Sequence, residues 1–377
     1  MHILIAPNAF KNSLDAAAAA EAIKKGLQQS QLDCTCECFP IGDGGDGTGD
    51  LMVEKCKGKV IEAKVQDALG RKVRATYGLI EDGRTAVIEM AAASGVRLLS
   101  QEELNPLTAS SFGTGQLIRQ ALSHSVRKVV IAMGGSATVD GGSGMLRALG
   151  VRFLDAAGKE IADLPAGLPD LGGVDLTGLD ERIADCEVVV LCDVENRLLG
   201  DKGAAAVFGP QKGAKANDVP LLEAGLARLS AVALKYTGKD MAAVVRGGTA
   251  GGAAAGLFAF LNASLVNGID YYLQATGFND ALQRADLLIT GEGSIDDQTL
   301  HGKGPFGVAC AAKESGIPVI GIAGKVPLTL SPELKEYFEI LLAIGNEPCD
   351  MPTAMSHTRA NIVRTSAQIG NLLSIKT

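Results

Sequence analysis

At both ends of the chain, short apolar runs alternate with stretches of helical period, and the turns that close those runs are rich in glycine, acids and hydroxyls. This pattern confines the chain to α/β folds: runs of about five apolar residues suit strands buried on both faces, and the helical stretches supply the crossovers. The first 66 residues read as strand (Ile3–Pro7), helix (Leu14–Gln29), strand (Cys34–Ile41) and helix (Thr48–Lys57). The last hundred or so read as strand Ala285–Thr290, a helix through Val308–Ser315, strand Ile317–Ala323, a helix at Pro332–Tyr337, strand Glu339–Ile344 and a closing helix to about Leu373. Five such strands predict a doubly wound parallel sheet in flavodoxin-like order 2-1-3-4-5.

The pattern changes between these ends. A hairpin is expected around Leu69–Gly83, followed by Ala/Gly-rich helices and strands such as Lys128–Met133 and Cys186–Cys192. The expectation is a discontinuous doubly wound domain, residues 1–66 with 285–377, interrupted by an inserted α/β domain, residues 67–284. Two crossover segments would then act as a hinge, with a ligand cleft between the domains.

Composition narrows the function. With 377 residues, 47% of them hydrophobic and 21% charged, the chain can bury a large core. A net charge of −8, no Trp and 4% aromatics argue against nucleic-acid partners, so an anionic ligand must be met by locally placed lysines, arginines and backbone N–H groups. The eight cysteines contain no C-x-x-C, and Cys34, Cys36 and Cys38 alternate along one strand as small buried residues do. Met1–Pro7 reads as a strand rather than a signal peptide, which places the protein in the cytoplasm. The uncharged run Gly247–Ile269 is long enough to span a bilayer, yet its Gly, Ala and Asn content favours a buried segment, so no membrane partner is expected. Oligomeric state is open.

The glycine runs carry the chemistry. Ala6–Leu14 follows the first strand, where open α/β sheets bind ligands, and gathers Asn8, Lys11 and Ser13. Asp43–Thr48 (DGGDGT) opens a helix and places Asp43, Gly44, Gly45 and Asp46 in one turn. Gly42–Gly47 also fits G-x-G-x-x-G, with Asp67 downstream, but its carboxylates would repel a pyrophosphate unless a metal intervened. Gly134–Gly142 (GGSATVDGG) follows a strongly apolar strand and precedes a helix. It offers Gly134, Gly135, Ser136 and Thr138 to an anion and Asp140 to a metal. Thr108–Ile118 has a similar design, with Thr114 as a cap. Asp193 closes another apolar strand, near Asn196 and Lys212. Thr290–Pro305 (TGEGSIDDQTLHGKGP) holds Gly291, Glu292, Gly293, Asp296, Gln298, Thr299, His301 and Lys303. Carboxylates among glycines point to phosphoryl transfer with Mg²⁺, without a Walker A or protein-kinase signature and without G-x-S-x-G. A nicotinamide-dependent hydroxy-acid oxidoreductase using the Gly42–Gly47 match, and a non-catalytic sugar-acid sensor, remain as alternatives.

APNAFKNSL, PIGDGGDGT, MAAASGVRL, SFGTGQLI, GGSATVDGGSGMLRALG, LCDVENRLLG, GAAAVFGPQKGA and TGEGSIDDQTLHGKGPFGVA occur in one order across almost the whole chain. In these segments the sequence resembles the bacterial glycerate kinases of glucarate and glyoxylate catabolism. The resemblance implies phosphorylation of D-glycerate, dependent on ATP and Mg²⁺, on a two-domain α/β fold. It favours 2-phosphoglycerate over 3-phosphoglycerate as product. Asp193, Lys11 and Asp43 are then the catalytic candidates, and Asp193, Glu292 and Asp140 the metal candidates. Asn8, Ser13, Gly44, Gly45, Asp46, Ser94, Gly134, Gly135, Ser136, Thr138, Lys212, Gly291, Gly293, Thr299 and Lys303 are expected to bind substrate or phosphate. The chain departs from the family pattern at Asn8-Ala9 (usually Asp-Ser), Asp46 (usually Glu), Arg197 (usually Pro) and Arg246–Gly256 (usually a Pro-Gly-x-Gly-x-x-Gly-Gly-like run).

Overall fold

A computed structural model describes residues 1–300 and 302–375, with Gln298 described by its backbone only. The described residues form thirteen strands. In chain order these are β1 (His2–Ile5), β2 (Thr35–Cys38), β3 (Lys59–Gln66), β4 (Lys72–Ile80), β5 (Thr85–Glu89), β6 (Lys128–Ala132), β7 (Arg152–Asp155), β8 (Leu171–Asp175), β9 (Glu187–Cys192), β10 (Ser264–Asn267), β11 (Leu287–Ser294), β12 (Val319–Lys325) and β13 (Ile340–Ala343). The chain divides into two compact units, residues 1–43 with 269–377, and residues 44–268.

The first unit holds a five-stranded sheet in the order β13-β12-β11-β1-β2, parallel at every pairing. Counted along the unit, this is the expected order 2-1-3-4-5. The strands are short and apolar because both faces are covered. Ile3, Ile5, Ile289 and Ile322 lie in one core with Ile23 and Leu27 of helix Ala16–Gln28. Asp15 caps that helix, accepting from Ala18 N at 2.7 Å. The same helix packs on Thr358–Ser374 so closely that a Cβ on Gly26 would lie 2.4 Å from the Val363 carbonyl.

The second unit holds a six-stranded sheet in the order β10-β9-β6-β5-β4-β3 and a separate β7–β8 hairpin. β5, β6, β9 and β10 run parallel, and β4 and β3 add an antiparallel edge. The expected hairpin at Leu69–Gly83 is instead one strand, β4, with a turn at each end of a three-stranded meander. The first of these turns is built by buried Asp67, which accepts from Leu69 N, Arg71 N and Arg71 Nε. The unit boundaries also lie elsewhere than at Gln66/Asp67 and Arg284/Ala285. β3 pairs with β4 over its full length, which carries residues 44–66 into the second unit. Residues 269–284 belong to the first, where Tyr272 Oη donates to the Pro40 carbonyl at 2.8 Å and Phe278 meets Phe39 edge-on.

Within Gly247–Ile269, Ala253–Leu261 forms a buried helix against β9 and β10. No helix among the described residues is long and apolar enough to cross a membrane. Cys34, Cys36 and Cys38 pack half-buried against the first unit's core as free thiols. Burial, with its thiol neighbours, pushes Cys36 up to about 12, so it is an inert packing residue rather than a thiolate.

Helix Phe112–Leu122 approaches β3 through Gly113, where an added Cβ would lie 1.8 Å from the Gln66 carbonyl. Backbone cannot move aside as a side-chain end can, so Gly113→Ala is expected to destabilise the protein by roughly 2–3 kcal/mol. Urea unfolding monitored by circular dichroism measures it, and a change below about 0.5 kcal/mol would contradict this packing.

Candidate active site

In the second unit the glycine runs gather at the carboxyl ends of the parallel strands, where β5, β6 and β9 end in register at Glu89, Ala132 and Leu191. Gly134 N donates to the Gly44 carbonyl at 3.0 Å, and a Cβ on Gly134 would lie 2.4 Å from Gly45 Cα. The runs therefore pack backbone against backbone, and only glycine fits at Gly134. Gly135 takes φ +69 and Gly44 φ +94, the left-handed conformation that turns the chain without a Cβ penalty.

Beyond this junction stands Lys212. Its side chain is 3% exposed, and Nζ donates to Ser136 Oγ at 2.7 Å and to the Thr138 carbonyl at 2.8 Å. Burial pushes the amine down to about 7, while Asp140 and Asp193 hold it up. Thr138 Oγ1 and Ser143 Oγ are buried without a hydrogen-bond partner. The unsatisfied Thr138 hydroxyl, on the residue whose carbonyl accepts from this amine, fits an oxyanion, which would restore the missing hydrogen bond and favour the ammonium form. Asp193 is half-buried after β9, within electrostatic reach of Lys212.

Other predicted residues of this unit have structural partners. Asp140 is fully buried; its carboxylate accepts from Ser111 N at 2.8 Å, Ser111 Oγ at 2.6 Å, Gly142 N at 3.0 Å and Gly144 N at 3.2 Å. With four protein donors it braces helix Ser143–Ala148 rather than offering itself to a metal. Ser94 is fully buried and shares a hydrogen bond with Thr114 Oγ1 at 2.8 Å, so it joins two helices instead of reaching a ligand. Asp46 pairs with Arg97 at 3.0 Å. Asp67, the acid expected downstream of a dinucleotide loop, is used up by its turn.

The first unit brings together Asn8, Asp43 and Glu292. Asn8 Nδ2 donates to Asp43 Oδ2 at 2.8 Å, and Asn8 N donates to the Gly291 carbonyl. Helix Gly304–Glu314 begins against the same side chain, since a Cβ on Gly304 would lie 2.9 Å from Asn8 Nδ2. Glu292, 7% exposed, accepts from Thr299 Oγ1 at 3.1 Å. Burial raises its carboxyl to about 7; Asp43 adds to the rise, and Lys303, Thr299 and Lys11 oppose it. Thus Asp43, Glu292, Lys303 and Lys11 form one electrostatic group.

Here too there are corrections. Gly291 and Glu292 are ladder residues of β11, in register with Ile322 and Ala323, so the Gly291–Gly293 run is largely strand rather than a phosphate-holding loop. Ser13 Oγ donates to the Met355 carbonyl at 2.7 Å and ties the first loop to helix Met351–Ser356. His301 lies outside the described residues. Among the described residues no three His, Cys, Asp or Glu side chains come together as a metal site. Sequence reasoning missed Glu89, a buried acid at the end of β5. The signal was available, because Glu89 closes an apolar run just as Asp193 does.

Glycine turns and a buried amine near parallel-strand ends mark an α/β protein whose candidate site suits an anionic ligand. Comparison with known proteins makes this specific. The model of the glycerate kinase family matches residues 3–374. The chain is 43% identical to the glycerate kinase of Bacillus subtilis (strain 168), over 98% of this chain and 97% of that one. It is 42% identical to the glycerate 2-kinase of Escherichia coli (strain K12), over 100% and 98%. A crystal structure described as a glycerate kinase 2 from Salmonella typhimurium LT2 superposes with a TM-score of 0.84 at 41% identity, covering 100% of this chain and 99% of that chain. The chain belongs to the glycerate kinase family. It is an enzyme, and the oxidoreductase and sensor readings fall with that membership.

Glu292 supplies a pH test. Its folded pKa lies above its unfolded value of 4.5, so between 4.5 and about 7 the folded state binds the extra proton and stability falls as pH rises. Glu292→Gln removes this cost. The variant is expected to gain about 3 kcal/mol on wild type as pH rises through that window, read from urea unfolding. A pH-independent difference would refute the shift.

Proposed function

We propose that the protein is a cytoplasmic glycerate kinase that phosphorylates D-glycerate with ATP and Mg²⁺, giving 2-phosphoglycerate. Family membership supports the substrate class, and the arrangement of Lys212 carries the chemistry. This buried amine, its pKa lowered to about 7 and its bond made to the residue that carries the unsatisfied Thr138 hydroxyl, suits a charge that arrives with a ligand. When bound, ATP supplies the phosphoryl group and Mg²⁺ offsets its charge. Magnesium takes few protein carboxylates and several oxygens from phosphate and water, so a lone acid such as Asp193 suffices. Asp43 and Glu292 are the corresponding acids of the first unit.

The chain's own groups then have distinct tasks. Asp193 either holds Mg²⁺ or accepts the proton of the substrate hydroxyl as that oxygen bonds to phosphorus and the bond from phosphorus to the ADP oxygen breaks. Lys11 binds the glycerate carboxylate. Lys303 and Lys212 stabilise charge developing on the phosphoryl oxygens, and Ser136 and Thr138 donate to them. Glu292, hydrogen-bonded to Thr299, completes the substrate shell.

Incubating purified protein with ATP, Mg²⁺ and D-glycerate should release ADP and give 2-phosphoglycerate by phosphorus NMR, and chelation of Mg²⁺ should stop it. No ADP above background would refute the activity, and 3-phosphoglycerate as sole product would refute the position of transfer. Asp193→Asn should lower kcat by about 10²-fold with the fold intact.

Lys11 and Lys303 separate by ligand. Lys11→Ala should raise KM for glycerate by roughly 30-fold or more with little change for ATP, and Lys303→Ala should show the opposite bias or a loss of kcat. Changes under about threefold in both variants would remove them from the site.

A further inference from the structure

Helix Thr48–Lys55 starts without a cap of its own. Its N-cap is Gly47, at φ +90 and lacking a side chain, and Asp50 in the first turn makes no capping bond. The missing acceptor comes from another element. Glu89, at the end of β5, accepts from Gly49 N through Oε1 at 2.7 Å while only 6% exposed. The seat is shaped for it, because a Cβ on Gly49 would lie 2.6 Å from Glu89 Cγ.

Next to Gly49, Thr48 orders the preceding loop: its hydroxyl accepts from Gly44 N at 3.1 Å, and its N–H donates to the Gly45 carbonyl at 3.3 Å. Gly44 in turn accepts from Gly134 N, which ties the loop to the Gly134–Ser136 run beside Lys212. The position of this run thus depends, through three hydrogen bonds, on the carboxylate beneath it.

We propose that Glu89 is a positioning residue for the reaction, holding the Gly44–Gly47 loop through its bond to Gly49 and doing so in a manner that depends on its charge. The proposal rests on the glycerate kinase reading for its kinetic arm only.

Several charged or titratable groups face this carboxyl. Asp50 comes from the helix, Asp46 from the loop, Arg97 from the turn Val96–Leu98 and Tyr77 from β4, where it lines the same small cavity with Val53 and Gly78. Burial raises the Glu89 carboxyl to about 7; Asp50 and Asp46 add to the rise, while the Gly49 bond and Arg97 oppose it. The ionised form is the better acceptor for Gly49 N–H and meets the positive end of the helix. As pH rises through about 7, the loop is held more firmly even though the fold as a whole loses stability from the same ionisation. A purely structural cap would behave alike with Glu or Gln, and the charge dependence separates the two cases.

The test uses full-length wild type, Glu89→Gln and Glu89→Ala. Gln retains an acceptor oxygen and the shape, so Glu89→Gln should stay folded with KM for one substrate raised about three- to tenfold and kcat changed less. The ratio of wild-type to Glu89→Gln kcat/KM, followed from about pH 5.5 to about 8.5, should rise with an inflection near 7; Glu292 and Lys212 are present in both proteins and cancel from the ratio. In Glu89→Ala, amide exchange at residues 44–49 should quicken by about fivefold or more without a matching change in helix Phe112–Leu122. A ratio flat with pH, or unchanged exchange at residues 44–49, would overturn the proposal. Failure of wild type to phosphorylate glycerate would instead sink the functional reading, and the exchange measurement would still decide whether Glu89 holds the loop.

Discussion

Burial of the Lys212 amine is the constraint around which the second unit is organised. An ammonium group taken from water costs several kcal/mol, and hydrogen bonds to a hydroxyl and a carbonyl offset only part of it. The rest is met by shifting the amine toward its neutral form, with Asp140 and Asp193 close enough to resist that shift. The surrounding backbone has to be exact for this to hold. Ser136 and Thr138 lie on a loop whose path is set by Gly134 packing on Gly45, and Asp140 fixes the end of that loop by accepting from Ser111, Gly142 and Gly144. Glycines and a fully bonded acid here are the framework of the site rather than its reagents.

The first unit solves a related problem with the opposite sign. Asp43 and Glu292 lie within electrostatic reach of each other, and two buried carboxylates repel. Asn8 relieves this by donating its amide to Asp43. An acid at this position, usual in the family, would face Asp43 at the same short distance and require a shared proton or a cation. The amide gives Asp43 a neutral donor, so in this chain Glu292 is the acid left to be balanced by cations, with Lys303 and Lys11 within electrostatic reach of it.

Much of the fold was legible because strands buried on both faces leave dense apolar runs. β2 and β13 lie within the stretches read from sequence, β1 and β12 overlap theirs, and their order follows the doubly wound rule. The Thr290–Ser294 segment misled because its glycines resemble a loop, whereas Gly291 is needed for β11 to approach β12: a Cβ there would lie 2.2 Å from the Ile322 carbonyl. The unit boundary inside the DGGDGT run was invisible for another reason. Pairing of β3 with β4 is a long-range property, and the helical pattern at Thr48 carries no mark of the sheet it covers. Site residues divide in the same way. Sequence placed Lys11, Asp43, Asp193 and Glu292 after strands and Lys212 in a loop, but it could not tell that Ser13, Ser94 and Asp140 had their hydrogen bonds already taken, since that depends on partners up to hundreds of residues away.

The same burial that makes these groups useful makes them costly. Glu89 and Glu292 are raised to about 7 and Lys212 is lowered to about 7, so three groups change charge in the range where their free counterparts would be fixed. For the two acids the folded state binds protons more tightly than the unfolded chain; for the lysine it binds them less tightly. At neutral pH all three therefore oppose folding, the acids increasingly as pH rises toward 7 and the lysine decreasingly as pH rises beyond it. A fold optimised for stability would expose them or replace them with apolar residues. Their retention in tightly packed, glycine-built surroundings is the pattern of sites that trade stability for groups whose charge a ligand can set.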